Sequence, residues 1–145
     1  MIYNKNINKQ GGEKLRIDGL KIETEIAKRG LTKTAFAKRI NMTDSLLYRI
    51  LSTNRASLSS IAKIADGLDA DWQEIAVNWK GVDLLRIRKM RERKGLSQAE
   101  LAQRLNVSQS AVTQWETGTR LPATKNLIEI AKVLECTIDE LFREV

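Results

Sequence analysis

The sequence predicts an all-α chain built of two tandem five-helix domains. Two observations carry that prediction: a long internal repeat, and apolar residues recurring at helical spacing with no strand-like alternation of useful length. The stretch from Gly30 to Thr43 returns as Gly95 to Ser108, offset by 65 residues. Leu20 and Ile22 match Leu85 and Ile87 at the same offset, whereas Ile64 to Leu68 matches Ile130 to Leu134 at 66. One residue has therefore been gained or lost between these anchors, in the loop near Asn54 and Gly118. With 145 residues in all, each unit is about the minimum size for a self-sufficient core. The expected divisions are a flexible tail over 1–12, a first domain over 13–78, a joint over 79–82 and a second domain over 83–145.

In chain order, the tail is rich in Asn, Lys and Gly and suits a free arm, with Lys5 and Lys9 able to follow a groove. In the first unit Gly30 stops the first helix, Thr32 caps the second and Thr43 caps the third. Phe36, Ala37, Ile40, Leu47, Ile50, Ile61, Ile64 and Leu68 are its candidate core, and Trp72 and Ile75 take the places of Ile138 and Leu141. The joint Asn78-Trp79-Lys80-Gly81 is short and lacks the composition of a flexible linker. Its Trp79 packs either between the units or within the first unit's core. In the second unit Asp83 is the expected cap of a helix running to Lys94, and Gly95 its left-handed stop. Ser97 and Glu100 form a capping box for the next helix, whose inner face is Leu101, Ala102 and Leu105. After the tight turn at Asn106-Val107, Ser108 caps a third helix that Gly118 ends, and Pro122 punctuates the loop beyond. Leu127, Ile130, Ala131 and Leu134 line a fourth helix, and Ile138, Leu141 and Phe142 a short fifth. Cys136, in the place of Ala70, reads as a small buried hydrophobe.

Composition narrows the function. Twenty-five Lys and Arg against 18 Asp and Glu give +7, which favours an anionic partner such as nucleic acid or an acidic membrane surface. The chain has no histidine, which removes Ser-His-Asp and Cys-His catalysis and most zinc sites. One cysteine forms no internal disulfide and no Cys-rich metal site, in keeping with a reducing compartment. No Gly-rich phosphate loop is present. No catalytic residue, metal or cofactor is therefore expected, and the chain does not read as an enzyme. No apolar run approaches the ~20 residues of a membrane span, and no secretory signal opens the chain.

Two short helices joined by a tight turn are a helix-turn-helix layout. In the second unit the run Gly95-Leu96-Ser97-Gln98-Ala99-Glu100-Leu101-Ala102 is followed by Val107-Ser108-Gln109-Ser110, Trp115-Glu116-Thr117-Gly118, Pro122 and Ile130-Ala131. In order and spacing this closely resembles the phage-repressor and Cro family, also called the xenobiotic-response-element family, over Asp83 to Phe142. The first unit resembles it less closely, over roughly Gly19 to Ile75, without the Trp-Glu-Thr-Gly element and the proline. The resemblance implies two repressor-like DNA-binding domains, with the third helix of a unit entering the major groove. In the second unit the implied base contacts are Gln109, Ser110, Thr113 and Gln114. Glutamine pairs bidentately with adenine, and a threonine methyl meets the thymine methyl. In similar proteins the residue at Gln98 touches phosphate and braces the first recognition glutamine. The basic first helix, with Arg86, Arg88, Lys89, Arg93 and Lys94, places about half of its charges near the backbone. Arg93, Arg120 and Lys125 are the further implied backbone contacts.

At the matching places the first unit carries Lys33, Asp44, Ser45, Tyr48 and Arg49. Asp44 accepts from a cytosine amino group or simply complements the helix dipole. Lys33, Ser45, Tyr48 and Arg49 are its candidate DNA contacts. Met1 to Lys80 holds 14 basic and 9 acidic residues, a balance of +5, against +2 for Gly81 to Val145, so the divergent unit is the more basic. In similar proteins an arginine late in the first helix pairs with a glutamate of the recognition helix, here Arg91 and Glu116. Their counterparts are Ile26 and Leu51, a joint change from ion pair to apolar pair that avoids a lone buried charge. Glu116 is thus expected to be structural. The resulting expectation is a cytoplasmic, nucleoid-associated transcription regulator that occupies a double-stranded DNA operator, with a homodimer partner or a protein effector as further partners and no membrane. The alternative is a protein-interaction module, an antitoxin or antiactivator, in which the divergent first unit binds a protein.

Overall fold

The computed structural model describes residues 14–77 and 86–142. The expected tail over 1–12, Trp79 and the joint, Leu85 and the Asp83 cap lie outside the described residues. The chain divides into two units, Met1–Lys80 and Gly81–Val145.

The first unit runs β1 (Lys14–Arg16), α1 (Gly19–Lys28), α2 (Lys33–Arg39), α3 (Asp44–Thr53), β2 (Arg55–Ser57), α4 (Leu58–Gly67) and α5 (Trp72–Ile75). Each helix begins at a short polar side chain that accepts a backbone N–H orphaned by helix geometry. Asp18 accepts from Lys21, Thr32 from Ala35, Thr43 from Leu46, Ser57 from Ser60 and Asp71 from Gln73. The turns between helices need left-handed residues. Gly30 supplies one at φ +69°, and Asn41 and Asn54 supply two at φ 55°.

The sheet is a departure from the all-helical expectation. β1 pairs antiparallel with β2 in the register Lys14↔Ser57, Leu15↔Ala56 and Arg16↔Arg55. Ile17 then bridges Ala76, and the Val77 N–H donates to the Arg16 carbonyl at 2.8 Å. The strand thereby ties the end of α3 to the end of α5 and buries Leu15 and Ile17. At three residues per strand the alternation is too short to stand out in sequence. Close beside it, the Gly19 N–H donates to Asn54 Oδ1 at 2.8 Å. A Cβ on Gly19 would stand 2.5 Å from the Leu51 carbonyl oxygen, so only glycine permits this approach of α1 to α3.

The second unit runs α6 (Arg86–Arg93), α7 (Gln98–Leu105), α8 (Gln109–Thr117), α9 (Thr124–Val133) and a 3-10 helix (Asp139–Phe142) in the fifth position. Gly95 at φ +69°, Asn106 at 55° and Gly118 at 75° repeat the left-handed positions of the first unit. Ser97 and Glu100 make the reciprocal capping box, and Ser108 accepts from Ala111. At Ala123, α9 starts without a side-chain cap. Between the left-handed cap and the next helix the second unit has five residues, 119–123, against three, 55–57, in the first, and α8 is one residue shorter than α3, a net gain of one; a loop through Pro122 stands in place of β2.

The cores form where helical spacing places apolar residues. Phe36, Leu47, Ile61, Ile64 and Trp72 are fully buried in the first unit, and Ile87, Leu101, Leu127, Ile130 and Leu141 in the second. Ile40, Leu105 and Ile138 are only half-buried, each at an element's end: Ile40 is the C-cap of α2, Leu105 the last residue of α7, and Ile138 lies in the turn before the 3-10 helix. Cys136 is likewise half-buried, not a fully interior residue, and burial pushes its thiol up to about 11.

Candidate nucleic-acid interface

The geometry of α8 divides its residues cleanly. Val112, Trp115 and Glu116 are buried, while Gln109, Ser110 and Thr113 are exposed and Gln114 half-exposed. The buried side is held by charge as well as by apolar packing. Arg91 of α6 donates through Nε to Glu116 Oε1 at 2.5 Å and through Nη2 to Oε2 at 3.3 Å. Its Nη1 donates to the Leu96 carbonyl at 2.7 Å, so the guanidinium also closes the turn before α7. The side chains are 9% and 4% exposed, dry enough that each charge depends on the other. Hydrogen bonding to Glu116 holds Arg91 above the usual arginine range, against the opposing effect of burial. The pair thus neutralises a carboxylate on the helix whose other side offers polar groups outward.

Gln98, at the start of α7, extends this network. Its amide N–H donates to Glu116 Oε2 at 2.8 Å, and its carbonyl accepts from the Thr113 hydroxyl at 3.1 Å. The expected brace onto the first recognition glutamine, Gln109, is therefore found on Thr113 instead. A glutamine amide offers one acceptor oxygen, and the hydroxyl of Thr113 faces it across the α7–α8 turn. One Gln98 N–H remains for an outside acceptor.

In the second unit several cations carry no ion pair among the described residues. Arg93 on α6, Arg120 in the loop after Gly118 and Lys125 in the first turn of α9 are exposed in this state. The Arg120 N–H donates to the Gln114 carbonyl at 3.2 Å, folding that loop back onto the end of α8. By contrast, Arg88 on α6 is paired with Glu92 at 3.0 Å, and Lys94, just beyond α6, is paired with Glu135. That contact holds the exposed Glu135 carboxyl below its ordinary range.

The first unit uses different chemistry at each matching point. Ile26 and Leu51, in the places of Arg91 and Glu116, are both buried, at 1% and 8% exposure. Lys33, in the place of Gln98, donates to Glu23 Oε1 at 3.0 Å. Its ammonium also lies 4.8 Å from the centroid of the Tyr48 ring, so a cation–π contact replaces the Gln98–Thr113 hydrogen bond. Glu23 had no signal in the sequence, because it faces Lys33 only once α1 and α2 are packed. Ser45 and Arg49 are exposed on α3, as is Asp44 in its first turn, and Arg49 is in no ion pair among the described residues.

Comparison with known proteins places both units. A helix-turn-helix family profile matches residues 87–141, and the profile of the Cro/C1-type HTH DNA-binding domain matches residues 21–77. The chain belongs to the Cro/C1-type helix-turn-helix family. Its similar proteins include the HTH-type transcriptional activator BcrR of Enterococcus faecalis, 39% identical over 39% of this chain and 28% of that protein. The HTH-type transcriptional regulator DicA of Escherichia coli (strain K12) is 42% identical over 36% of this chain and 38% of its own length. The repressor protein C2 of Salmonella phage P22 is 36% identical over 40% of this chain and 27% of its own. This Cro/C1-type chain therefore spans half or less of the curated relatives it matches. No solved structure matches it at a significant level. Among the described residues, no helix is long and apolar enough to cross a membrane.

Proposed function

We propose that this Cro/C1-type protein is a sequence-specific, double-stranded DNA-binding transcription regulator that acts by occupying an operator. The observation that carries the reading is α8 itself: a capped helix, locked from behind by a neutralised glutamate, with Gln109, Ser110, Thr113 and Gln114 turned outward. These four are the proposed base contacts, in the major groove. Gln98, Arg93, Arg120 and Lys125 are the proposed backbone contacts, and they supply the salt-dependent part of the affinity. The protein acts in the cytoplasm, on the nucleoid, as a binding protein and not as an enzyme. A homodimer is part of the proposal, since two-fold pairing doubles the half-sites read and raises affinity. In the first unit Lys33, Ser45, Tyr48 and Arg49 are the proposed contacts.

One observation favours a second reading for that first unit. Lys33 is already neutralised by Glu23 and covered by Tyr48, which is 46% exposed. A surface of that kind also suits a protein partner, as in an antitoxin or antiactivator. Selection of bound sequences from a random DNA pool, followed by footprinting, tests both readings. An enriched site whose protection shrinks when the Arg49 side chain is removed supports operator binding by both units. Protection left unchanged on removing the Arg49 side chain assigns the first unit to a protein. Gln109→Ala is expected to cost about 1–3 kcal/mol at one base pair and to relax preference there. No enrichment of any sequence refutes the reading.

A further inference from the structure

Thr113 does not present its two Cβ substituents equally. Its hydroxyl oxygen lies 3.1 Å from Gln98 Oε1 and 3.1 Å from the Gln109 carbonyl, one turn back along α8. A hydroxyl has a single proton, and both acceptors within reach belong to the protein. Gln98 is in turn fixed by Glu116, and Glu116 by Arg91. The amide of Gln98 has one orientation that serves both neighbours: N–H toward the carboxylate, oxygen toward the hydroxyl. The buried ion pair is thereby connected, through one side chain, to an exposed residue of the recognition helix.

We propose that Thr113 reads its base pair through its γ-methyl group and not its hydroxyl, with Gln98 and Glu116 as the positioning residues that withhold the hydroxyl. This deepens the operator-binding reading and rests on it. The Cβ substituents are staggered. With the oxygen turned to α7 and the backbone, the methyl is the group left to meet the groove. The matching feature on DNA is the 5-methyl group of thymine, the one apolar projection on the major-groove edge of a base pair. Glu116 then influences specificity without touching DNA. Its carboxylate sets the Gln98 amide, and the amide sets the threonine.

Replacing thymine by deoxyuridine removes that methyl and leaves every hydrogen-bonding group in place. The test is therefore a thymine-to-deoxyuridine scan of the selected operator with full-length protein. At one position, wild-type binding should weaken about three- to five-fold, the worth of one buried methyl group. Thr113→Val keeps a methyl there and should keep that ratio. Thr113→Ser keeps the hydroxyl alone and should bring the ratio to one. Gln98→Ala removes one of the hydroxyl's two acceptors, leaving the Gln109 carbonyl, and should lower the ratio at that position in part, whatever uniform loss of affinity accompanies it. A ratio that survives in Thr113→Ser, or disappears in Thr113→Val, overturns the proposal. Sequence-selective binding with no deoxyuridine effect at any position overturns it while leaving operator binding intact. Absence of sequence-selective binding by the wild-type protein removes both.

Discussion

Substituting Glu116 by leucine and Arg91 by isoleucine, each alone and then together, measures how the second unit is locked. In Glu116→Leu, Arg91 loses both bonds to the carboxylate and keeps only the Leu96 carbonyl. A guanidinium 9% exposed is then left uncompensated, at a cost of about 3–5 kcal/mol. That approaches the whole stability of many small domains, roughly 5 kcal/mol at the lower end. The double variant copies the apolar pair Ile26 and Leu51 of the first unit. It removes the lone charge, yet it still deprives the Leu96 carbonyl and the Gln98 amide of their partners. A residual loss of about 1–3 kcal/mol is therefore expected. Native-state amide exchange in the full chain reads the α7 and α8 amides apart from those of the first unit. Protection of α7 and α8 should fall by roughly two to four decades in Glu116→Leu, at 1.4 kcal/mol per decade. The double variant should recover part of that loss. If the losses of the two single variants simply add in the double, the positions are not coupled and the account of the lock is wrong.

Three further outcomes are expected. Arg49→Ala should reduce the slope of log affinity against log salt by about 0.9, one phosphate contact; Lys33→Ala, whose ammonium already faces Glu23, should reduce it less, as salt titrations of operator binding would show. Gly19→Ala should destabilise the first unit by about 1–3 kcal/mol in urea melts, because the new Cβ meets the Leu51 carbonyl and Asn54 Oδ1; unchanged stability would show that α1 can move away from α3. The Cys136 thiol, raised to about 11 mainly by burial and then by Glu140, stays protonated at pH 9 to about 99%. Its alkylation rate should keep rising with pH through 9 without levelling off, and a plateau near pH 9 would contradict that.

The two units were legible in the sequence because their signals are local. A cap needs a residue and the N–H three positions on, and a left-handed stop needs one glycine or asparagine. Thr43 and Ser108, Asn41 and Asn106, and Gly30 and Gly95 therefore announce matching elements from the chain alone. The inner faces follow from the 3.6-residue period for the same reason, and fail only at helix ends such as Ile40 and Leu105. The joint change of Arg91 and Glu116 into Ile26 and Leu51 was visible because a buried charge is costly unless paired. Tertiary structure alone decided the rest. The β1–β2 ladder joins residues some forty apart through backbone groups that any side chain permits. Glu23 captures Lys33, and Gln98 turns to Thr113 and Glu116, because packed helices bring these tips within hydrogen-bond reach. A side chain's length and polarity name the bonds it is able to make. Which one it makes depends on the neighbours that the whole fold delivers: α8 itself supplies the Gln109 carbonyl to Thr113, but only the packing of α7 supplies Gln98.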